Sequence, residues 1–215
     1  MDAVLARRLP ELHLRLARLS LHAAAPLARL MAGSPLTTLT LSCVWEGPGA
    51  RQLFDADGAA LMANALRAST TLTTLVLRNM GVCSDVHVAT VVLGALVGHP
   101  SLRRLTLNDQ YNTNARAASA ALAALVAADA PALESFSIND NGLGDAAFAP
   151  LVDALPRNRH LRWLFMSGNN LSERFMRERL LPAVRANAGL RVLWCGGDGA
   201  AAEAEELVRR RGQAA

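Results

Sequence analysis

The residues that most often carry catalysis or hold metals are sparse and scattered in this sequence of 215 residues. Its five histidines and three cysteines form neither a metal-ligand spacing nor a CxxC pair. The glycine-rich run at 196–199 resembles a phosphate-binding loop only superficially, because a P-loop requires a lysine and the chain contains none. We expect this run to form a turn. The sequence therefore predicts no catalytic residue, no metal site and no cofactor.

Three aromatic residues offer binding chemistry instead. Trp163 and Phe165 flank Leu164, and Trp194 follows Leu193. Alternate residues of a strand point to opposite faces, so inward leucines would leave the three rings outward. Exposed aromatic clusters are costly unless covered, and aromatic side chains dominate interface hot spots. We predict a surface that binds a protein or peptide. The alternative is that the C-terminal tail or another molecule covers the rings for structural reasons.

Arginines accompany these rings. Arg162 and Arg191 stand just before the two aromatic segments, where we expect them to frame the rings. Arg104 and Arg78 occupy outward positions of earlier segments and extend a basic path across the same face. We predict that acidic groups of the partner bind these four arginines.

Basic residues are also concentrated towards the C-terminus. Residues 157–191 contain eight arginines against two glutamates, and the run 209–211 is all arginine. One interpretation is a face that binds nucleic acid. The other, which we favour, is a solvated outer face, since aromatic residues suited to stacking on bases are missing from this stretch apart from the Trp163 group.

A repeat positions all of these residues. The spacing Leu-x-x-Leu-x-Leu, or an apolar variant of it, recurs at residues 9, 36, 72, 102, 133, 161 and 190. Each copy predicts a strand, a polar turn and a helix that returns the chain, so that the copies stack and share one core. Cys195 replaces an inward leucine and is expected to be a buried thiol. The predicted helices are Leu21–Met31, Gly58–Ala68, Asp85–Val97, Arg116–Ala128, Asp145–Leu155, Ser172–Leu181 and about 200–211.

The turn after each strand has its own signal. Asn141 and Asn169 lie eight residues after the first leucine of their repeats, and Asp198 takes the equivalent place. We expect these side chains to bind the backbone that leaves the strand. Four other repeats lack the asparagine and are expected to have less regular turns; they have Ala17, Val44, Met80 and Gln110 at this place. The second repeat also carries an insertion at 45–55.

The pattern at 133–145, LxxFxIxxNxLGD, resembles the ribonuclease-inhibitor-like subclass of leucine-rich repeat proteins, and the resemblance extends over about residues 9–199. It implies an α/β fold: a right-handed horseshoe solenoid of about seven repeats, with a concave parallel sheet and convex helices, in a single domain over 1–215. It also implies a non-catalytic scaffold that binds proteins on the concave face. One alternative is a GTPase-activating regulator of the Ran-activator type, whose eukaryotic form ends in an acidic tail, unlike the basic end here.

Composition bounds the remaining alternatives. With 52% apolar residues, the chain is too apolar to be disordered. A net charge of +4 is mild and does not by itself indicate a nucleic-acid partner. The sequence predicts no membrane span and no secretory signal, and the odd number of cysteines favours a reducing compartment, so we expect the cytoplasm, with the nucleus as the alternative. Either residues 3–9 form a short cap or the chain is part of a larger protein, and the oligomeric state is open.

Overall fold

Seven strands form one parallel sheet, and they follow one another across it in chain order. The computed structural model describes residues 10–16, 21–43, 56–108 and 118–213. The predicted parallel sheet is confirmed. The strands are β1 (Glu11–Leu16), β2 (Thr38–Cys43), β3 (Thr74–Arg78), β4 (Arg104–Asn108), β5 (Ser135–Ser137), β6 (Trp163–Phe165) and β7 (Val192–Trp194).

The register of the sheet aligns the central apolar residue of every repeat. Leu75 of β3 pairs with Leu105 of β4, which pairs with Phe136 of β5, and Phe136 pairs with Leu164 of β6. These side chains are at most 1% exposed. The period of the repeat therefore sets the register, because each coil places its leucine beside that of the coil before it.

Helices connect the strands and pack against the buried face of the sheet, where their apolar residues and the inward strand residues form one core. The predicted helices are confirmed, with changed ends. A 3₁₀ turn at Leu155–Arg157 follows the helix that ends at Ala154. A π-helical turn at Ala89–Leu93 extends the helix that begins at Val86, and another at Met176–Leu180 joins the last helix before it to the helix that begins at Leu181. The helices are α1 (Leu21–Gly33), α2 (Ala56–Ala68), α3 (Val86–Val88), α4 (Ser119–Ala127), α5 (Asp145–Ala154), α6 (Glu173–Phe175), α7 (Leu181–Ala186) and α8 (Ala200–Gln213).

The two asparagines predicted to close turns do so. The Asn141 amide donates to the carbonyl of Leu107 on the neighbouring coil at 2.9 Å, and that of Asn169 donates to the carbonyl of Ile138 at 2.9 Å. The prediction for Asp198 is wrong, because its side chain is exposed and the carboxylate of Glu205 binds the strand end instead. Met80 is buried where an asparagine is missing.

Several sequence predictions concern residues outside those that the structure describes. They are the turn residues Ala17, Val44 and Gln110, the insertion at 45–55 and the alternatives for residues 3–9. The right-handed horseshoe curvature and the single domain over 1–215 stay predictions. Among the described helices, none is both long and apolar enough to cross a membrane.

A second set of buried polar residues, which the sequence did not reveal, holds the turns that lead into the strands. Asn187 is 1% exposed. Its amide donates to the carbonyls of Leu155 and Asn158 at 2.6 and 2.7 Å, and its oxygen accepts the N–H of Leu190 at 2.8 Å. Asn158 and His99 make equivalent links in earlier coils. These residues tie each coil to the one before it.

We expect Asn187→Ala to lower the free energy of unfolding by about 2 kcal/mol, because a buried polar group that loses its partner costs about 1–3 kcal/mol. Urea denaturation measures the loss. Asn170→Ala is the matched control, since Asn170 is exposed and donates to a single carbonyl, that of Gly142. Equal stability of the two variants would contradict the structural role of Asn187.

Candidate binding site on the open face of the sheet

The strand residues that alternate with the core residues form the face of the sheet that we call the open face. In β2 the burial alternates strictly, with buried Leu39, Leu41 and Cys43 between half-buried neighbours. The register aligns the open-face residues of successive strands in rows. One row is Glu11, Thr38, Thr74, Arg104, Ser135, Trp163 and Val192, and the next is His13, Thr40, Val76, Thr106, Ser137, Phe165 and Trp194.

Four apolar side chains meet at the β6–β7 end of the open face, and we call them the aromatic patch: Trp163, Phe165, Val192 and Trp194. Trp163 pairs with Val192, and Phe165 pairs with Trp194. Trp194 is 54% exposed and Val192 is 38% exposed, while Trp163 and Phe165 are half-buried. Adjacent strands lie about 4.8 Å apart, so the four side chains form one continuous surface. The site predicted from the sequence did not include Val192.

The described part of the C-terminal region leaves this patch open. Helix α8 lies against β7, and its Gly212 packs closely there, since a Cβ at this residue would lie 3.2 Å from the Arg191 carbonyl oxygen. Trp194 nevertheless keeps about half of its surface exposed. The structural explanation, in which the tail covers the rings, is therefore not seen in the residues described up to Gln213.

Arg162 and Arg191 bind backbone of their own chain. A guanidinium nitrogen of Arg162 donates to the carbonyl of Gly189 at 2.9 Å, and one of Arg191 donates to the carbonyl of Ala188 at 2.9 Å. The turn is tight, since a Cβ on Gly189 would lie 3.0 Å from the carbonyl oxygen of Arg159. Both arginines thus hold the turn that leads into β7. Their binding to acidic groups of a partner stays a prediction.

Arg104 and Arg78 are exposed on the open face, as predicted. Neither forms an ion pair with any residue that the structure describes. Arg104 stands in the same row as Ser135 and Trp163. Only small polar side chains lie on β5 between this arginine and the aromatic patch.

The other basic residues of the C-terminal half are largely paired on the helices. Nitrogen–oxygen distances of 2.6–2.9 Å join Arg174 to Glu178, Arg177 to Glu173, Arg179 to Asp153, Arg185 to Glu203, and both Arg209 and Arg210 to Glu206. Hydrogen bonds from Arg210 and Arg209 lower the pKa of Glu206, and the bond from Arg174 to Glu178 raises the pKa of that arginine. The pairing leaves less of this charge available to a polyanion.

Helix α8 holds the end of β7. The Glu205 carboxylate accepts the N–H groups of Cys195 and Gly196 at 2.6 and 2.9 Å, and Arg211 donates to the carbonyls of Val184 and Asn187 at 2.8 and 2.6 Å. Cys195 is buried, as predicted. Burial, and then the negative charge of Glu205, raise the pKa of its thiol. Sequence spacing gave no sign of the Glu205 contact, because ten residues separate it from Cys195.

We expect Glu205→Ala to loosen α8 from β7 and expose the Cys195 thiol. The wild-type thiol should react slowly with a disulfide reagent at pH 8, because the raised pKa and burial leave little accessible thiolate. The variant should react several-fold faster, and mass spectrometry can assign the modified cysteine. Glu203→Ala is the control, since its carboxylate pairs with Arg185 on the helix surface. Equal reaction rates for Glu205→Ala and wild type would contradict this role.

Within the part of the chain that the structure describes, no three histidine, cysteine or acidic side chains come together in a metal-binding cluster. His99 binds the carbonyl of Leu66, and His160 binds that of Asp129. The described open face thus offers apolar contact and three exposed guanidinium groups, those of Arg15, Arg78 and Arg104.

The solved structures that are similar to this chain include the following two. One is a tropomodulin C-terminal domain from Caenorhabditis elegans, with a TM-score of 0.58 and 15% sequence identity over 74% of this chain and 96% of that one. The other is actin-binding site 2 of leiomodin-1, with a TM-score of 0.49 and 16% identity over 61% of this chain and 76% of that one. No family model matches the sequence. No curated protein matches it either.

The comparison corrects the resemblance that the sequence implied. The assignment to the ribonuclease-inhibitor-like subclass of leucine-rich repeat proteins is wrong, because the structural likeness is to a tropomodulin C-terminal domain. The physical reason is that regular inward leucines are needed wherever parallel strands and helices stack in coils, so their spacing indicates the architecture and not the family. What the likeness shows is a shared α/β fold with a parallel sheet.

Proposed function

We propose that this chain is a non-catalytic scaffold that binds another protein on the open face of its sheet. The observation that carries the proposal is the aromatic patch, where Trp194 and Val192 are exposed beside Trp163 and Phe165. Large apolar side chains that remain exposed together mark interaction sites in soluble proteins, and tryptophan is enriched in interface hot spots.

The core supports this proposal. On β6 and β7 the inward residues Leu164 and Leu193 are at most 4% exposed, so the core is filled without the outward rings. Large side chains on the open face are therefore not required for packing. A partner that covers them would gain the hydrophobic free energy that the isolated chain leaves unused.

Affinity capture tests the proposal. Immobilised wild-type protein, Trp194→Ala and Val86→Ala are each exposed to extract of the native source and to purified actin, and the retained proteins are identified by mass spectrometry. Val86 is the matched control, because it is 57% exposed and lies on helix α3, away from the open face.

The proposal predicts a protein that the wild type and Val86→Ala retain and that Trp194→Ala loses. Identical sets of retained proteins for all three baits would contradict it. Two alternative functions remain separate predictions. A GTPase-activating regulator would raise the rate of GTP hydrolysis by a GTPase, and a nucleic-acid binder would cause a salt-dependent shift in the gel mobility of RNA or DNA. The cytoplasmic location also stays a prediction.

A further inference from the structure

The open face offers a second kind of chemistry at a fixed distance from the aromatic patch. The row that contains Trp163 and Val192 also contains Arg104, two strands from Trp163 and three strands from Val192. Arg104 is exposed and has no ion-pair partner among the described residues. An apolar surface and an available guanidinium therefore share one straight line across the sheet.

The surface between them is low. The intervening strand β5 presents Ser135 and Ser137, whose side chains are small and half-buried. The next row places Thr106 on β4. An extended chain that has passed over Trp163 and Phe165 of β6 can therefore reach Arg104 without meeting a further bulky side chain.

The described charges of the open face are complementary to an acidic ligand. Its strand residues include Arg15, Arg78 and Arg104. In the two rows that contain the aromatic patch, the one acidic residue is Glu11, which lies beside His13 at the far end of the sheet. Arg104 is therefore the charged strand residue of the open face that lies nearest to the aromatic patch. Arg104 attracts carboxylates there and repels basic segments.

We infer that the occupant of the open face is an extended acidic peptide segment of a partner protein, with an apolar anchor on Trp194 and Val192 and a carboxylate four residues away on Arg104. This inference rests on the proposed function and specifies its partner. Three strand spacings separate β7 from β4, which is about 14 Å. Four residues of extended chain span about 13 Å, and side chains four apart point to the same side. A separation of two residues covers too short a distance, and a separation of three residues places the carboxylate on the side of the peptide that faces away from the sheet.

A random dodecapeptide library displayed on phage tests the inference. Selection on immobilised wild-type protein, with Trp194→Ala protein in solution to remove unspecific binders, should enrich an aromatic or aliphatic residue with Asp or Glu four positions before or after it. Arg104→Glu should replace this preference with Lys or Arg at the same spacing. Arg157→Glu is the matched control, because Arg157 is exposed in the 3₁₀ turn outside the sheet, and it should select the wild-type pattern.

Synthetic peptides give the magnitude. We expect Arg104→Glu to raise the Kd of an enriched acidic peptide about tenfold, as measured by fluorescence anisotropy. A peptide with Lys in place of the acidic residue should bind the variant with the original affinity. Equal melting temperatures of the variants exclude unfolding.

The outcomes separate the two proposals. Enriched peptides that require Trp194 but show no acidic preference at this spacing, or that bind Arg104→Glu equally well, overturn the inference and leave the binding face intact. Absence of any enrichment that depends on Trp194 overturns both.

Discussion

Truncation of the buried Phe136 ring is expected to remove about 3–5 kcal/mol from the free energy of unfolding. Phe136 is 0% exposed and stands in the central row of the core, where it pairs with Leu105 on one side and Leu164 on the other. Phe136→Ala loses the transfer free energy of the ring and leaves a cavity between coils that are held by their neighbours. Because the coils of a stacked array are stabilised by adjacent coils, we expect the substitution to destabilise β4 and β6 as well as β5.

Phe165→Ala is the matched control for this prediction. The same side chain is truncated in the same way one coil later, but on the open face, where the ring is half-buried. We expect a smaller loss of about 1–2 kcal/mol, since part of the ring is already exposed and less buried area is removed. Urea denaturation of both variants measures the difference, and equal losses would show that the inward and outward assignments of β5 and β6 are wrong.

Trp194→Ala has the largest expected effect on binding. We expect it to weaken binding of the captured partner by about 2 kcal/mol or more, which is about a 30-fold increase in Kd. Trp163→Ala should weaken binding as well, because its ring adjoins Val192 in the register. Isothermal titration with the purified partner measures both.

The melting temperature separates binding from folding in this experiment. With 54% of its surface exposed, Trp194 contributes little to the core, so the variant should melt close to the wild type. Val86→Ala provides the control for truncation of an exposed apolar side chain, and its affinity should equal that of the wild type. Normal binding by both tryptophan variants, or unfolding of both, would show that the rings are structural.

Hydrophobic spacing was sufficient to predict the parts of this fold that depend on local pattern. Leucines at a fixed period predict strands whose inward residues must align, and the register from Leu75 to Leu164 confirms this. The same alternation placed Trp163 and Trp194 on the outer side of their strands. Exposure of Trp194 could be predicted because the strand period is two and its neighbours Leu193 and Cys195 are buried.

Contacts that depend on side-chain reach could not be predicted. Asn187 and His99 lie between the hydrophobic segments, where the sequence pattern predicts no contact. In the stacked coils Asn187 binds the carbonyl of Leu155, and His99 binds that of Leu66. The Glu205 contact crosses from a helix to the end of a strand. A polar residue carries no periodic signal of the partner it will meet.

Arginines that bind backbone and arginines that remain exposed could not be distinguished from the sequence either. Sequence position put Arg162 beside the aromatic patch, but it did not reveal that the guanidinium binds the Gly189 carbonyl. Arg104 lies centrally in the sheet and remains exposed. Distinguishing a positioning arginine from an available one requires the coordinates of the turn.

Hydroxyl-radical footprinting of the protein, free and bound to the captured partner, tests the central claim most directly, because it reports which side chains the partner covers. The account predicts that oxidation of Trp194 and Trp163 falls several-fold in the complex, while that of the exposed helix residue Val86 stays unchanged. Unchanged oxidation of both tryptophans, with protection confined to residues on the helices, would contradict the assignment of the open face as the binding surface.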